Sequence, residues 1–458
     1  MSVAALAERI RSGALNARAA VEESLGRIAK IDPALNSFLS VRAEEALLEA
    51  DALDRGPPRG PLHGVPVAVK DVIDVAGART TAASRILAEN VARTDAAAVA
   101  ALRAAGAVVV GKLNTHEFAF GATTTSPHFG PARNPWATER ICGGSSGGSG
   151  AAAAARLVPA TLGTDTAGSI RIPACFCGVT GLRPTSGRVS NRGVVPVSFT
   201  LDTVGPLAPS AEDCAILLEV VAGYDPGDPT TADVPVPSYR RELARGAAGL
   251  RVGVVRALVE RAEPRIAALV REAVEHLARA GADVEEVTVP LLEEAGTIVQ
   301  LIMLPEAGET HLPWLRSRLA EYGADVRARL LAGLLLPGTA GVTGRRARRW
   351  YCEQLDGVLS RFDALAAPQM LTPPPRIGED TVEVGGERVL YRLSVMPTNS
   401  PWTLAGLPVA SVPCGFVDGL PVGLALVGPR FAEATVLRLA HAFQGATDWH
   451  ERRPPIAG

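Results

Sequence analysis

Apolar and polar positions follow two rhythms along this chain. Between residues 2 and 55 apolar residues recur at helical spacing among charged ones, which predicts two or three amphipathic helices ending at the "DRGPPRGPLHG" break. "VPVAVKD", Val65 to Asp71, then alternates and is rich in β-branched residues, so it predicts a strand with Lys70 near its end. "DAAAVAALRAAG" returns to the helical period and closes on Gly106, and "AVVVGKLN" is the next strand. This order predicts an α/β fold with a central mixed or parallel β-sheet flanked by helices on both faces.

Between Thr123 and Gly150 the rhythm stops in a long stretch rich in Gly, Pro, Ser, Thr and Asn, within which "ARNPWATERIC" predicts no strand. Long irregular stretches inside compact domains usually carry function. Beyond it "GGSGAAAAARLV" opens a helix, "PATLG" is a short strand, and "GTDTAGSIRIPACFCG" is a second glycine-containing turn running into a helix. After a Pro/Asp-rich surface stretch near 225–250, the strand "GLRVGVV", a helix around 262–281 and the strand "ADVEEVTVP" predict a subordinate α/β lobe. Long helices follow over about 293–335 and 344–361. Two strands joined by a Gly/Asp turn in "LPVASVPCGFVDGLPVGLALVGP" and a helix at 432–445 complete the chain. We expect one domain over residues 1–458: helices to 60, a core over 61–245, a variable lobe over 250–390, and a return to the core over 391–458.

Composition narrows the function classes. A net charge of −2 gives no general attraction to nucleic acid or anionic membrane. No run approaches the ~18 apolar residues of a membrane span, and the N-terminus lacks the apolar core of a secretion signal, so a cytoplasmic location is expected. The six cysteines include a C-x-C, Cys175 and Cys177, but no partner pair at zinc-site spacing, which predicts free thiols. Of 46 basic residues only Lys30, Lys70 and Lys112 are lysines. Lysine can lose its proton when desolvated and arginine effectively cannot, so a lysine surviving this bias in an apolar strand is a candidate base.

The segment "RICGGSSGGSG", Arg140 to Gly150, holds three serines among five glycines and has no nearby histidine to activate them. It lacks the lysine of a phosphate-binding Walker loop, and no strand is predicted before it for a dinucleotide fingerprint. Gly144-Ser145-Ser146-Gly147-Gly148 matches G-x-S-x-G, yet that elbow also needs a preceding strand. Tight helix packing is the remaining plain explanation. The second turn alters the balance. Ser169 follows Ala167-Gly168 at a helix start, where N–H groups from Thr166 to Ser169 can converge on one developing oxyanion. Ser169 is then a candidate nucleophile, Lys70 its candidate base, and a loop serine the candidate relay between them.

Four segments, "VPVAVKDVIDVAGARTT", "GKLNTHEFAFGATT", "CGGSSGGSGAAAAA" and "GTDTAGSIRIPACFCGVTGLRPTSGRVS", together resemble the amidase signature family. The resemblance is strong over about residues 60–240 and returns in "SPWTLAGLPVASVP" and "GLPVGLALVG". It implies a Ser–cis-Ser–Lys triad of Ser169 as nucleophile, Ser145 as bridging serine and Lys70 as base. The family's 24-residue spacing to the nucleophile selects Ser145 over Ser146, which becomes a supporting donor. The oxyanion hole falls on Thr166, Ala167 and Gly168. Asp165 and Arg171 are expected to brace the turn, Lys112 to be structural, and Gly121, Thr123 and Trp402 to line the cleft.

The activity implied is an amidohydrolase that cleaves a carboxamide or related C–N bond through an acyl-serine, with a small-molecule amide as substrate. The alternative is the A subunit of a glutamyl/aspartyl-tRNA amidotransferase, which resembles this core; a non-catalytic family member is the third reading. No metal or organic cofactor, no direct nucleic-acid contact and no membrane partner are expected, and the resemblance implies a homodimer.

Overall fold

The computed structural model describes residues 2–457. Eleven strands form one mixed sheet. In chain order they are β1 (Phe38–Val41), β2 (Pro66–Lys70), β3 (Val108–Leu113), β4 (Ala160–Asp165), β5 (Thr180–Arg183), β6 (Thr203–Ala208), β7 (Arg251–Val255), β8 (Asp283–Val287), β9 (Ala364–Pro368), β10 (Val409–Val417) and β11 (Leu420–Val427). Across the sheet they lie in the order β1-β3-β2-β4-β6-β5-β10-β11-β9-β7-β8. β2 runs parallel to both β3 and β4. The pairings from β4 through β9 are antiparallel, and β9, β7 and β8 are parallel again. The expected α/β fold with a central mixed sheet is therefore present.

β2, β3 and β4 are buried along their whole length. Both faces are covered by helices, which explains the nearly unbroken apolar content of β2 and β3, whereas β4 carries two threonines and Asp165 within the same buried layer. Two short buried helices follow the glycine-containing turns: α1 (Gly147–Ala154), made only of Gly, Ser and Ala, and α2 (Arg171–Cys177), against which α1 packs. Four of the later helices form a layer of their own, α3 (Leu292–Arg318), α4 (Ala324–Leu335), α5 (Gly338–Leu359) and α6 (Met396–Ala405), in which α3 packs against the other three.

The structure departs from the sequence expectations in particular places. "ARNPWATERIC" does contain a strand: Ala137–Ile141 pairs with Arg133–Asn134 in a small hairpin outside the main sheet. Its middle residues face solvent, so it carries no core periodicity, and the turn is pinned by Trp136 N–H donating to Asn134 Oδ1. β5 and β6 were not expected either, because glycine and proline interrupt "TGLR" and "TVGPLA", yet both lie at the sheet centre. The strands of 250–390 extend one end of the central sheet, and only the Thr381–Leu390 hairpin of that segment stands apart from it. All six cysteines are free, five of them buried. Among the described residues no helix is long and apolar enough to cross a membrane.

Candidate active site

The parallel strand β2 carries Lys70 as its last residue into the interior, where the side chain is fully buried. Its Nζ lies 2.7 Å from Ser145 Oγ and 2.7 Å from Thr164 Oγ1. Burial pushes the Lys70 pKa down to about 7, although the charges of Asp202 and Asp165 oppose the shift. Both direct partners are hydroxyls. A neutral amine can accept from one while donating to the other, so nothing in contact obliges the group to stay charged.

Ser145 stands on a cis peptide with Gly144. A Cβ at Gly144 would come within 2.6 Å of Thr123 N, so glycine alone lets the two chain segments approach this closely. The loop is fixed from several sides: the Ser145 carbonyl accepts from His116 N–H at 3.2 Å, and the Thr124 hydroxyl donates to the Gly143 carbonyl at 2.9 Å. Ser146 points elsewhere. Its Oγ donates to the Thr164 carbonyl at 3.0 Å and accepts from Thr164 N–H at 3.3 Å, while its own N–H donates to the Ser169 carbonyl at 3.2 Å. Ser146 thereby ties the two turns and β4 together.

β4 ends at Asp165, and the chain turns through Thr166 to Ile170 into α2. Gly168 has φ +119°, and a Cβ there would meet Asn399 Oδ1 at 2.6 Å. The buried Asp165 carboxylate organises the turn. It accepts from the N–H groups of Gly168 (2.8 Å) and Ile170 (3.1 Å), from Arg171 Nε and Nη2 (both 3.0 Å) and from Arg183 Nη1 (2.9 Å). Burial alone would raise its pKa, but Arg171 and Arg183 outweigh burial and hold it well below the usual carboxylate range.

One of these bonds bears on the expected oxyanion site. The Gly168 N–H is already given to Asp165 Oδ1, because the turn closes back on its own bracing carboxylate. The N–H groups of Thr166, Ala167 and Ser169 find no acceptor among the described residues.

Ser169, 8% exposed, opens with Gly144, Thr166 and Ala167 onto a cavity of about 670 Å³, counted to its open mouth. Lys70 and Ser145 lie behind its wall, fully buried. Gly121 lines the cavity, whereas Thr123 faces the adjoining cleft and hydrogen-bonds His116 and Thr125. Trp402 lines neither; it is fully buried in the main core, so its large ring serves packing. Lys112 is ion-paired with Asp71 at 2.9 Å.

Sequence reasoning missed four residues here. Thr164 is two strand positions from Leu162, which pairs with Val69, and this neighbour relation is invisible before the strand order is known. Arg183 reaches Asp165 from β5, and Asp202 accepts from the Thr166 hydroxyl at 2.5 Å. Arg329 reaches the cavity from α4. All four depend on tertiary approach and leave no local motif.

The sequence model of the Amidase family matches residues 19–437. The chain belongs to that family. The A subunit of the glutamyl-tRNA(Gln) amidotransferase from Roseiflexus sp. (strain RS-1) is 42% identical, the match covering 98% of this chain and 97% of the relative. Among solved structures, one described as a vestigial protein complex revealing the evolutionary origins of an s-triazine catabolic enzyme superposes with a TM-score of 0.93 at 39% identity, covering 97% of this chain and 98% of that one. A 6-aminohexanoate cyclic dimer hydrolase complexed with substrate gives a TM-score of 0.91 at 30% identity, covering 100% and 99%. The chain thus shares its fold almost end to end with both solved structures.

Proposed function

We propose that this chain is an amidohydrolase in which Ser169 is the nucleophile, Ser145 the proton relay and Lys70 the base. The observation that carries the reading is the contact of a fully buried lysine, its pKa lowered by desolvation, with the hydroxyl of a second buried serine behind a cavity into which Ser169 opens. Neutral Lys70 takes the Ser145 proton as Ser145 takes that of Ser169, and the Ser169 oxygen attacks the amide carbonyl. The negative charge on the carbonyl oxygen is met by the N–H groups of Thr166, Ala167 and Ser169, which hold no other acceptor. The C–N bond breaks as the proton returns by the same path to the departing nitrogen, and water then releases the acid from Ser169. Asp165, Arg171 and Arg183 hold the turn without touching the reacting atoms.

The name of the Roseiflexus relative favours a second reading, in which the same acyl-serine step supplies ammonia inside a tRNA-dependent amidotransferase. The hydrolase named among the solved structures favours release by the chain alone. One measurement separates them: ammonia or amine released from small amides by the purified chain, with Ser169→Ala as blank. Release by the wild type and none by the variant supports the hydrolase. Turnover that needs partner subunits and charged tRNA supports the transferase, and turnover by the variant rejects both.

A further inference from the structure

Glu306 is a buried carboxylate on α3 that the proposed chemistry does not use. No cation pairs with it among the described residues. Its side chain is held instead by the loop that joins β5 to β6: Oε2 accepts from the Ser198 hydroxyl and, at 3.3 Å, from Thr200 N–H, while Oε1 accepts from the Thr200 hydroxyl. Burying such a group is costly unless hydrogen bonds replace its water, and bonds made to a carboxylate are among the stronger ones. The donors that compensate Glu306 all come from this one loop.

Both sides of this contact reach the cavity above Ser169. Gln300 and Met303 line it from α3, and Met303, three residues before Glu306, shares its face of the helix. Val197, the neighbour of Ser198, lines it from the loop and belongs to the same apolar cluster as Met303. The loop is also joined to the nucleophile turn, because Asp202 accepts from the N–H groups of Val197 and Ser198 with one oxygen and from the Thr166 hydroxyl with the other. Ser198 is thus held twice. Its N–H ties the loop to the turn through Asp202, and its O–H ties the loop to α3 through Glu306.

We propose that Glu306 is a positioning residue that limits the size of the substrate group admitted beside Ser169, by clamping the Val197 segment to the helix that carries Gln300 and Met303. As a statement about specificity this rests on the acyl-serine reading; as a statement about the loop it stands on the hydrogen bonds alone. The Glu306 carboxylate makes no hydrogen bond to Ser169 or to the N–H groups of Thr166 and Ala167. Its loss should therefore widen the range of substrates and leave bond breaking in the smallest amides comparatively intact.

Two series of amides read the limit: primary amides lengthened from acetamide to octanamide, and acetamides N-alkylated from methyl to hexyl. In at least one series the wild-type kcat/KM should fall off with length. Glu306→Ala should raise the long-to-short ratio of kcat/KM tenfold or more, mainly through a lower KM for the long members, with kcat for the shortest changed less than threefold. Glu306→Gln, which can still bond both hydroxyls, should stay within threefold of the wild-type ratio. If Glu306→Ala does not fold, the triple variant Ser198→Ala/Thr200→Val/Glu306→Leu removes both hydroxyls together with the carboxylate, strands fewer buried polar groups, and should show the same tenfold shift. An equal loss across both series, a wild type that takes every length alike, an unchanged ratio, or a Gln variant as permissive as the Ala variant would each overturn the proposal. Hydrogen exchange over residues 194–202 reads the clamp without turnover and should be tenfold or more faster in Glu306→Ala. Exchange that does not change overturns the clamp whatever the rates. Faster exchange in a chain that cleaves no amide supports the clamp and counts against the acyl-serine reading instead.

Discussion

Lys70 is the last residue of its strand and Lys112 the last but one of the neighbouring parallel strand, and both side chains are fully buried. Lys112 pairs across from Val69, so the two lysines point to opposite faces of the sheet. On one face Lys112 meets the Asp71 carboxylate at 2.9 Å, the Thr80 hydroxyl at 2.8 Å and the Arg79 carbonyl at 3.1 Å. On the other, Lys70 meets only the hydroxyls of Ser145 and Thr164. Equal burial therefore gives unequal chemistry. A contacting carboxylate stabilises an ammonium, whereas hydroxyls serve amine and ammonium alike and leave desolvation to decide. Asp71 follows Lys70 in sequence yet serves Lys112, because alternation along the strand sends it to the far face.

The comparison breaks most visibly in a pair of methionine substitutions. Lys70→Met should lower amide turnover by about 10⁴-fold or more while the chain stays folded, since it removes a base whose direct partners are all neutral. Lys112→Met should do the reverse, leaving Asp71 buried without its counter-charge at a cost of about 3–5 kcal/mol. Initial rates of ammonia release and denaturant midpoints read the two effects separately. A Lys112 variant that is stable but inactive, or a Lys70 variant that is unstable but active, would invert the assignment.

How far this contrast was legible in the sequence depends on which residue is asked about. Both lysines stand out against 43 arginines, and both lie on strands that β-branched runs make readable. The two turns were also readable, because glycines and serines crowd just before two buried helices. Lys70 was offered as the candidate base from its place on a strand, but Lys112 has a strand-end position too, and it was the family resemblance that set Lys70 above it. What physically distinguishes them is the face each strand position takes and the neighbour waiting there. Thr164 comes to Lys70 through the parallel pairing of β2 with β4, which no local pattern announces, and Arg183 comes to Asp165 through antiparallel strands whose glycine and proline hide them. Trp402 failed as a cleft residue for a related reason: its position in a motif says nothing of which way the ring turns.

A smaller effect tests the proton rather than the residue. With the Lys70 pKa at about 7, the base is charged and unable to accept below that pH, and neutral above it. Activity should therefore rise with pH through about 7 and level off beyond it. A single proton gives about tenfold per unit on the acid side, so kcat/KM at pH 5 should be about 100-fold below the plateau. A flat profile from pH 5 to 8 would mean that the amine is neutral throughout or is not the base.

The finest test concerns what sets that limb. Burial pushes Lys70 down, and of the charges opposing it Asp202 stands first, ahead of Asp165. The two carboxylates differ in their own settings. Asp165 is clamped by two arginines, so replacing it would dismantle the turn. Asp202 accepts from the Thr166 hydroxyl and from the N–H groups of Val197 (2.8 Å) and Ser198 (3.0 Å), and burial raises its pKa to about 6 despite these bonds and the charge of Lys70. It is mostly ionised where Lys70 titrates. Asp202→Asn keeps the shape and an acceptor oxygen but removes the charge, so Lys70 should lose its proton more readily. The acid limb should move to lower pH by less than about one unit, with the plateau rate less affected than the midpoint. A limb that stays in place would show that desolvation alone governs Lys70, and a limb that moves upward would assign the titration to another group.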